Sequence, residues 1–187
     1  MKIRLSSPLQ PDSIVDGPGI RTVIWFQGCM HNCKGCHNPE THSFYTGTLV
    51  DIEEIKKELL DLKGQDGITL SGGDPMFQID AALEIAKFSK QLNLNVWCYT
   101  GFTFEKLLEK KKTEKNLQYL LNYIDVLVDG KFEEEQRSLD LFFRGSKNQR
   151  VLDLQESLKH GAAIEMEEYK ESDFDTYSYG RTEYMYI

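Results

Sequence analysis

Four short apolar runs recur along the chain, and each is closed by a loop containing glycine. Thr22-Val23-Ile24-Trp25-Phe26 leads into Gly28, and Ile68-Thr69-Leu70 into Gly72-Gly73. Asn95-Val96-Trp97-Cys98-Tyr99 leads into Thr100-Gly101, and Asp125-Val126-Leu127-Val128 into Asp129-Gly130-Lys131. Runs this short, rich in β-branched and aromatic residues, read as buried strands. Between them lie stretches with helical spacing. Asp51 can cap a helix in which Ile52, Ile55, Leu59 and Leu62 share a face, while Glu53, Glu54, Lys56, Lys57 and Glu58 mostly meet water. Gly64 and Gly67 end it, and Asp80 can cap a second helix that continues to about Leu92. Arg150-Val151-Leu152 reads as a fifth strand. Strands separated by helices predict βαβ units, hence an α/β domain with mostly parallel strands.

The chain has 187 residues, with 40% hydrophobic and 11% aromatic, enough for one domain with a substantial core. No repeat or linker divides it. Its 30 acidic against 22 basic residues leave a net charge of −8, which argues against non-specific nucleic-acid binding and against anionic membranes. No apolar stretch approaches the roughly 18 residues of a membrane helix, and no signal peptide is evident near the start, so a cytoplasmic location with reduced cysteines is expected. The Lys110-Lys111-Lys112 run is most simply a solvated helix end. From about residue 165 the character changes: Glu165, Glu167, Glu168, Glu171, Asp173, Asp175 and several tyrosines read as an acidic extension, residues 165–187, following a domain of residues 1–164. Tyr177, Tyr179, Tyr184 and Tyr186 also fit the period of an edge strand. A chain ending near Ala163 is expected to keep the cysteine site.

Three of the four cysteines, Cys29, Cys33 and Cys36, crowd into one loop after the first strand, and Cys98 stands far away. That distribution suits metal ligation better than disulfides. A loop can wrap three sulfurs around one centre, whereas a strand would point alternate residues to opposite faces. Two metals fit. With His31 or His37 the three thiols could complete a Cys3His zinc tetrahedron. A four-iron cluster normally takes four thiolates, so three would leave one iron open to a substrate. Cys98, flanked by Trp97 and Tyr99 in an apolar strand, reads as a small hydrophobe in the core. His31 and His37 also read as loop caps, and His42 and His160 carry no pattern. A Gly72-Gly73 turn alone is ordinary, although it lets backbone approach a ligand, with Asp74-Pro75 fixing the turn that follows.

Cys-x-x-x-Cys-x-x-Cys after a first strand resembles the signature of radical S-adenosylmethionine enzymes. Asp16-Gly17-Pro18-Gly19-Ile20-Arg21-Thr22, Gln27-Gly28-Cys29 and Cys36-His37-Asn38-Pro39-Glu40 are similar to the glycyl-radical activating enzymes. Gly35 before Cys36, and Arg144-Gly145-Ser146-Lys147-Asn148-Gln149-Arg150, resemble the branch that activates anaerobic ribonucleoside-triphosphate reductase. The likeness covers roughly residues 12 to 154.

The resemblance implies a partial (βα) barrel of the radical SAM type, with the site at the carboxyl ends of the strands. It implies a 4Fe-4S cluster on Cys29, Cys33 and Cys36, with the open iron chelated by S-adenosylmethionine. Gly35, Cys36, His37, Gly72, Gly73, Asp74, Pro75, Asp129, Gly130 and Lys131 would meet that cofactor. The Gly-Gly-Asp-Pro segment stands for the family's Gly-Gly-Glu-Pro, whose acid and backbone contact the methionine amino group. A monovalent cation near Asp129 belongs to the same set. Read from the residues alone, Arg144 and Arg150 have no acidic motif beside them, which leaves open an anionic group of the cofactor or the partner chain. Implied partners are the reductase large subunit and a flavodoxin- or ferredoxin-like electron donor. The implied reaction is reductive cleavage to methionine and a 5′-deoxyadenosyl radical, which takes a hydrogen atom from a partner glycine. Other readings are an activase of another glycyl-radical enzyme, such as pyruvate formate-lyase, and a non-catalytic zinc-binding interaction module.

Overall fold

A computed structural model describes residues 1–170. Eight strands form one sheet: β1 (Lys2–Leu5), β2 (Gln10–Ser13), β3 (Arg21–Phe26), β4 (Thr48–Asp51), β5 (Gly67–Gly72), β6 (Asn95–Tyr99), β7 (Val126–Asp129) and β8 (Arg150–Asp153). Their order is β4-β1-β3-β5-β6-β7-β8, with β2 paired to β3. β3, β5, β6 and β7 are parallel, in a register that sets Phe26 beside Gly72, Leu70 beside Cys98 and Tyr99 beside Val128. Their carboxyl ends therefore lie along one rim of the sheet.

The helices are α1 (Ile52–Asp61), α2 (Ile79–Gln91), α3 (Phe104–Lys110), α4 (Lys115–Leu121) and α5 (Leu154–His160). Ile55 and Leu59 of α1, Ile85 of α2, Leu107 of α3 and Leu120 of α4 bury against Ile24, Leu70, Val96, Cys98 and Leu127. Each fully buried Ile or Leu contributes about 1.5–3 kcal/mol. Strand side chains alternate across the sheet. Trp97, Val126, Val128 and Val151 accordingly face the other way, where Tyr99, Phe143, Met166 and Tyr169 pack on them.

The Asp51 cap is present, its carboxylate accepting from Glu53 N. Asp80 does not cap α2: Gln78 holds that position, and the Asp80 carboxylate accepts from Asn116 instead. The run of lysines does end a helix, Lys111 being the C-cap of α3.

Two expectations need correction. The fifth strand, β8, is antiparallel to β7, and β1, β2 and β4 also join antiparallel, so three strand pairings are parallel and four antiparallel. The cause is the connection: a parallel return needs a crossover, usually a helix, and between β7 and β8 there is only a loop with a short 3-10 turn at Glu134–Gln136. The domain also continues past residue 164. Asp153 N donates to Ile164 O at 3.0 Å and Met166 N to Val151 O at 2.9 Å, and the Tyr169 ring lies on Trp97 and Phe143. Most of the acidic extension, with the alternating tyrosines, lies outside the described residues. Among those described, no helix is long and apolar enough to cross a membrane.

Candidate metal and cofactor site

β3 ends at Phe26, and the cysteine loop begins with Gln27, which is buried. The Gln27 amide donates from Nε2 to Glu40 O (3.1 Å), Ser43 O (2.6 Å) and Thr46 Oγ1 (2.9 Å), fixing the far side of the loop. Gly28 N donates to Thr41 O at 2.8 Å and Cys29 N to His42 O at 3.1 Å, so the loop closes on itself. Between the cysteines, Asn32 and Gly35 adopt positive φ (49° and 70°), left-handed turns that bend the chain back.

The loop after β5 threads against this one. Gly73 N donates to Phe26 O at 2.7 Å and Asp74 N to Gly28 O at 3.0 Å. A Cβ on Gly73 would stand 2.5 Å from Gly28 O, so the missing side chain lets two backbones touch; it does not open space for a ligand. Gly72 needs its φ of 100° as well.

A cleft of about 120 Å³ opens where these loops meet. Its wall holds Cys29, Cys33 and Cys36, then Ser71, Gly72 and Gly73, then Tyr99, Thr100 and Gly101, then Gly130, Lys131 and Phe132, with His31, His42 and Gln149 completing it. Each of the four parallel strands thus contributes its carboxyl-terminal loop. Burial pushes the Cys29 thiol up to about 11 and raises that of Cys33. A metal must displace those protons, because the thiolate is the ligand.

Of the residues expected around the cofactor, Cys36, Gly72, Gly73, Gly130 and Lys131 line the cleft, and Gly35, His37, Asp74, Pro75 and Asp129 do not. The His37 ring packs at a tilt against Phe132, with centroids 4.9 Å apart. Gly35 and Pro75 shape their turns. The fully buried Asp129 carboxylate accepts from Phe104 N at 2.7 Å and from Arg150, whose guanidinium also reaches Glu105. Lys131 Nζ donates to His31 O at 3.3 Å. Arg144 donates to the carbonyls of Tyr169 and Lys170, tying down the chain beyond Met166. Cys98 is buried in the main core, away from the cleft wall.

Sequence reasoning passed over Ser71, Tyr99, Phe132, His42 and Gln149. Ser71 and Tyr99 follow from strand register alone. Gln149 and His42 arrive on irregular loops and carry no pattern; Gln149 holds its loop by accepting from Gly145 N at 2.9 Å and donating to Gly130 O at 3.1 Å.

Among the described residues, no three His, Cys, Asp or Glu side chains converge as ligands of a single metal ion. His31, a candidate for a zinc tetrahedron, has its Nε2 on Asp74 at 2.7 Å. Three thiols on one cleft wall, with His31 and His42 beside them, are compatible with a cluster whose irons are held by separate sulfurs.

The profile of the 4Fe-4S single cluster domain matches residues 15–152, a span that includes the cysteine loop and the loops after β5, β6 and β7. Together with the cleft, that places the chain among proteins carrying one 4Fe-4S cluster domain. An anaerobic ribonucleoside-triphosphate reductase-activating protein of Vibrio cholerae serotype O1 is 40% identical over 147 residues, which cover 74% of this chain and 91% of the relative. Proteins of the same description from Enterobacteria phage T4 and Escherichia coli K12 are each 33% identical over 150 residues, covering 76% and 75% of this chain and 90% and 93% of theirs. The chain belongs to the family of anaerobic ribonucleoside-triphosphate reductase-activating proteins.

Proposed function

We propose that this chain activates an anaerobic ribonucleoside-triphosphate reductase by radical S-adenosylmethionine chemistry, with Cys29, Cys33 and Cys36 as the three protein ligands of its 4Fe-4S cluster. The observation that carries the reading is the meeting of all three cysteines with three glycine-bearing strand-end loops around one cleft. The sheet is then the partial barrel of that enzyme class, with a wider antiparallel flank than expected. When bound, cluster and cofactor together supply one-electron chemistry that removes a hydrogen atom from a glycine of the reductase large subunit.

The chain's own residues bind, orient and enclose. Gln27 and the backbone pairs at Gly28 and Cys29 hold the thiols against the Gly72-Gly73 loop. Gly72, Thr100, Gly101 and Gly130 offer backbone at close range, as a ligand with amino and carboxylate groups requires. Lys131 gives the wall a positive charge beside the cysteine loop. The electron comes from a flavodoxin- or ferredoxin-like donor. The Asp129 carboxylate, committed to Arg150 and Phe104 N, is not offered to a cation.

Anaerobic reconstitution tests the reading. The full chain should take up about four iron, and Cys29→Ala, Cys33→Ala and Cys36→Ala should each lose the cluster while Cys98→Ala keeps it. With a strong reductant the loaded chain should cleave S-adenosylmethionine, and with the reductase it should give a glycyl-radical signal by electron paramagnetic resonance. Stoichiometric zinc without iron, or equal iron loss in Cys98→Ala, would overturn it.

A further inference from the structure

Asp74 is the acid of the Gly72-Gly73-Asp74-Pro75 segment, and its side chain is 1% exposed. Its Oδ1 accepts from Met76 N at 2.8 Å. Its Oδ2 accepts from Thr100 Oγ1 at 2.9 Å, Gly101 N at 3.0 Å and His31 Nε2 at 2.7 Å. A carboxylate offers about four lone-pair positions. Three donors crowd onto Oδ2 and one meets Oδ1, and the carboxylate, all but fully buried, is not part of the cleft wall, so it is turned away from the ammonium of a ligand there.

The donor from the cysteine loop is the informative one. His31 lies between Cys29 and Cys33, its side chain 9% exposed. A carboxylate only accepts, so Nε2 carries the hydrogen in this contact. The ring sits against Phe77 at 5.5 Å and edge-on to Phe102 at 4.7 Å. Gly101 must be glycine beneath it, because a Cβ there would stand 2.4 Å from the ring. One side chain of the cysteine loop thus reaches the loops after β5 and β6, and Lys131 from the loop after β7 holds its carbonyl.

We propose that His31 is a positioning residue that latches the cysteine loop to the Gly72-Gly73 loop through Asp74, and that Asp74 serves this latch and not the amino group of S-adenosylmethionine. The second part rests on the cofactor assignment under Proposed function; the first does not. Partners that orient metal ligands from outside the ligand set typically change metal affinity by roughly ten- to a hundredfold when removed. The amino group of the cofactor is left to backbone carbonyls and hydroxyls of the wall.

Two variants separate the hydrogen bond from the packing. His31→Phe keeps a ring between Phe77 and Phe102 and removes the donor, whereas His31→Gln returns an amide donor near the Nε2 position. In the iron-free full chain, trypsin should cut at Lys34, whose side chain is 82% exposed. Cutting should be about tenfold faster in His31→Phe than in the native chain or His31→Gln. After reconstitution, His31→Phe should lose iron to a chelator at least about tenfold faster, and His31→Gln should match the native chain. The change that S-adenosylmethionine makes in the spectrum of the reduced cluster should be lost in His31→Phe and kept in His31→Gln, which a general loss of stability does not produce. Equal cutting and equal iron retention in all three chains would overturn the latch, as would a His31→Gln chain no better than His31→Phe. If the native chain takes up no iron, the functional reading fails, and the Lys34 cutting rates still decide the latch. For Asp74, an Asp74→Asn chain that holds its loop and iron normally yet binds S-adenosylmethionine far more weakly would restore the carboxylate to the cofactor.

Discussion

Arg21 is next to last in the Asp16-Gly17-Pro18-Gly19-Ile20-Arg21-Thr22 motif, and its guanidinium is spent inside the protein. It is 1% exposed and donates to Thr69 Oγ1, Pro18 O, Ile68 O, Asn95 O and Asn95 Oδ1 at 2.7 to 3.2 Å, while its plane lies over Trp97. Gly17 and Gly67 make room for it, since a Cβ on either would stand within 3 Å of its side chain. Burial lowers its pKa, and a fan of neutral oxygens serves in place of a carboxylate. The glycines at the cleft divide in the same manner. Gly73→Ala should cost about 3 kcal/mol, because the added carbon meets the backbone of Gly28 at 2.5 Å and must displace the cysteine loop. Gly130→Ala should cost only about 1–2 kcal/mol, the strain of a φ of 97°, since the added carbon meets Asn148 and Gln149 only at ordinary contact distances of 3.7 Å and more. Denaturant midpoints check both, and reconstituted iron should fall in the first and hold in the second. Gly73→Val, by the same contact, is expected to disturb the cluster loop as well as cofactor binding. A larger loss at Gly130 than at Gly73 would contradict this ordering.

At the level of elements, Gln78 occupies the N-cap of α2 without capping it. Its Oε1 accepts from Arg4 N at 2.8 Å, and its Nε2 donates to Arg4 O at 2.8 Å and to Gln27 O at 2.9 Å, so it bonds β1 to the exit of β3. Gln78→Ala should destabilise the fold by about 3 kcal/mol, near 1 kcal/mol for each bond lost, read as a lower denaturant midpoint with unchanged slope. Gln78→Glu should recover only the bond from Arg4 N. This role is invisible in a helical pattern, and it shows where the sequence ceased to be informative. The four parallel strands, the Asp51 cap and the glycine-bearing exits were legible because periodicity and turn chemistry are local. β1 and β4 were not: each has four residues, and Lys2 and Arg4 alternate with Ile3 and Leu5 over too short a span to distinguish from a turn. β2 contains Pro11 and an Asp12 at φ 60°, both contrary to strand patterns, and it pairs irregularly with β3. At the site the cysteines and glycines were legible from spacing. The inward commitments of Asp74 and Asp129 were not, because each depends on partners 21 to 43 residues away.

For the whole molecule, the boundary of the folded unit lies beyond residue 164. Met166 and Tyr169 cover Trp97, and Arg144 bonds the carbonyls of Tyr169 and Lys170. Ending the chain at Ala163 removes that cover and should lower Tm by roughly 6–12 °C, the equivalent of about 3 kcal/mol. A chain ending at Lys170 keeps Met166 and Tyr169 on Trp97 and serves as the comparison. Calorimetry on the two truncated chains distinguishes a packed segment from a dispensable one, and equal melting of the two would refute the packing role. The rim of the sheet carries a further consequence. The cysteines lie within eight residues of one another, yet His31 among them bonds to Asp74 and Lys131, 43 and 100 positions downstream. Pairing segments that far apart carries a loop-closure cost that local structure does not repay. The cleft is therefore a late product of folding: a nascent chain emerges with its thiols long before it has anywhere to hold iron. On the proposed ligand assignment, iron delivered early would meet three unorganised sulfurs, and loading is expected to follow the joining of β7 to the sheet.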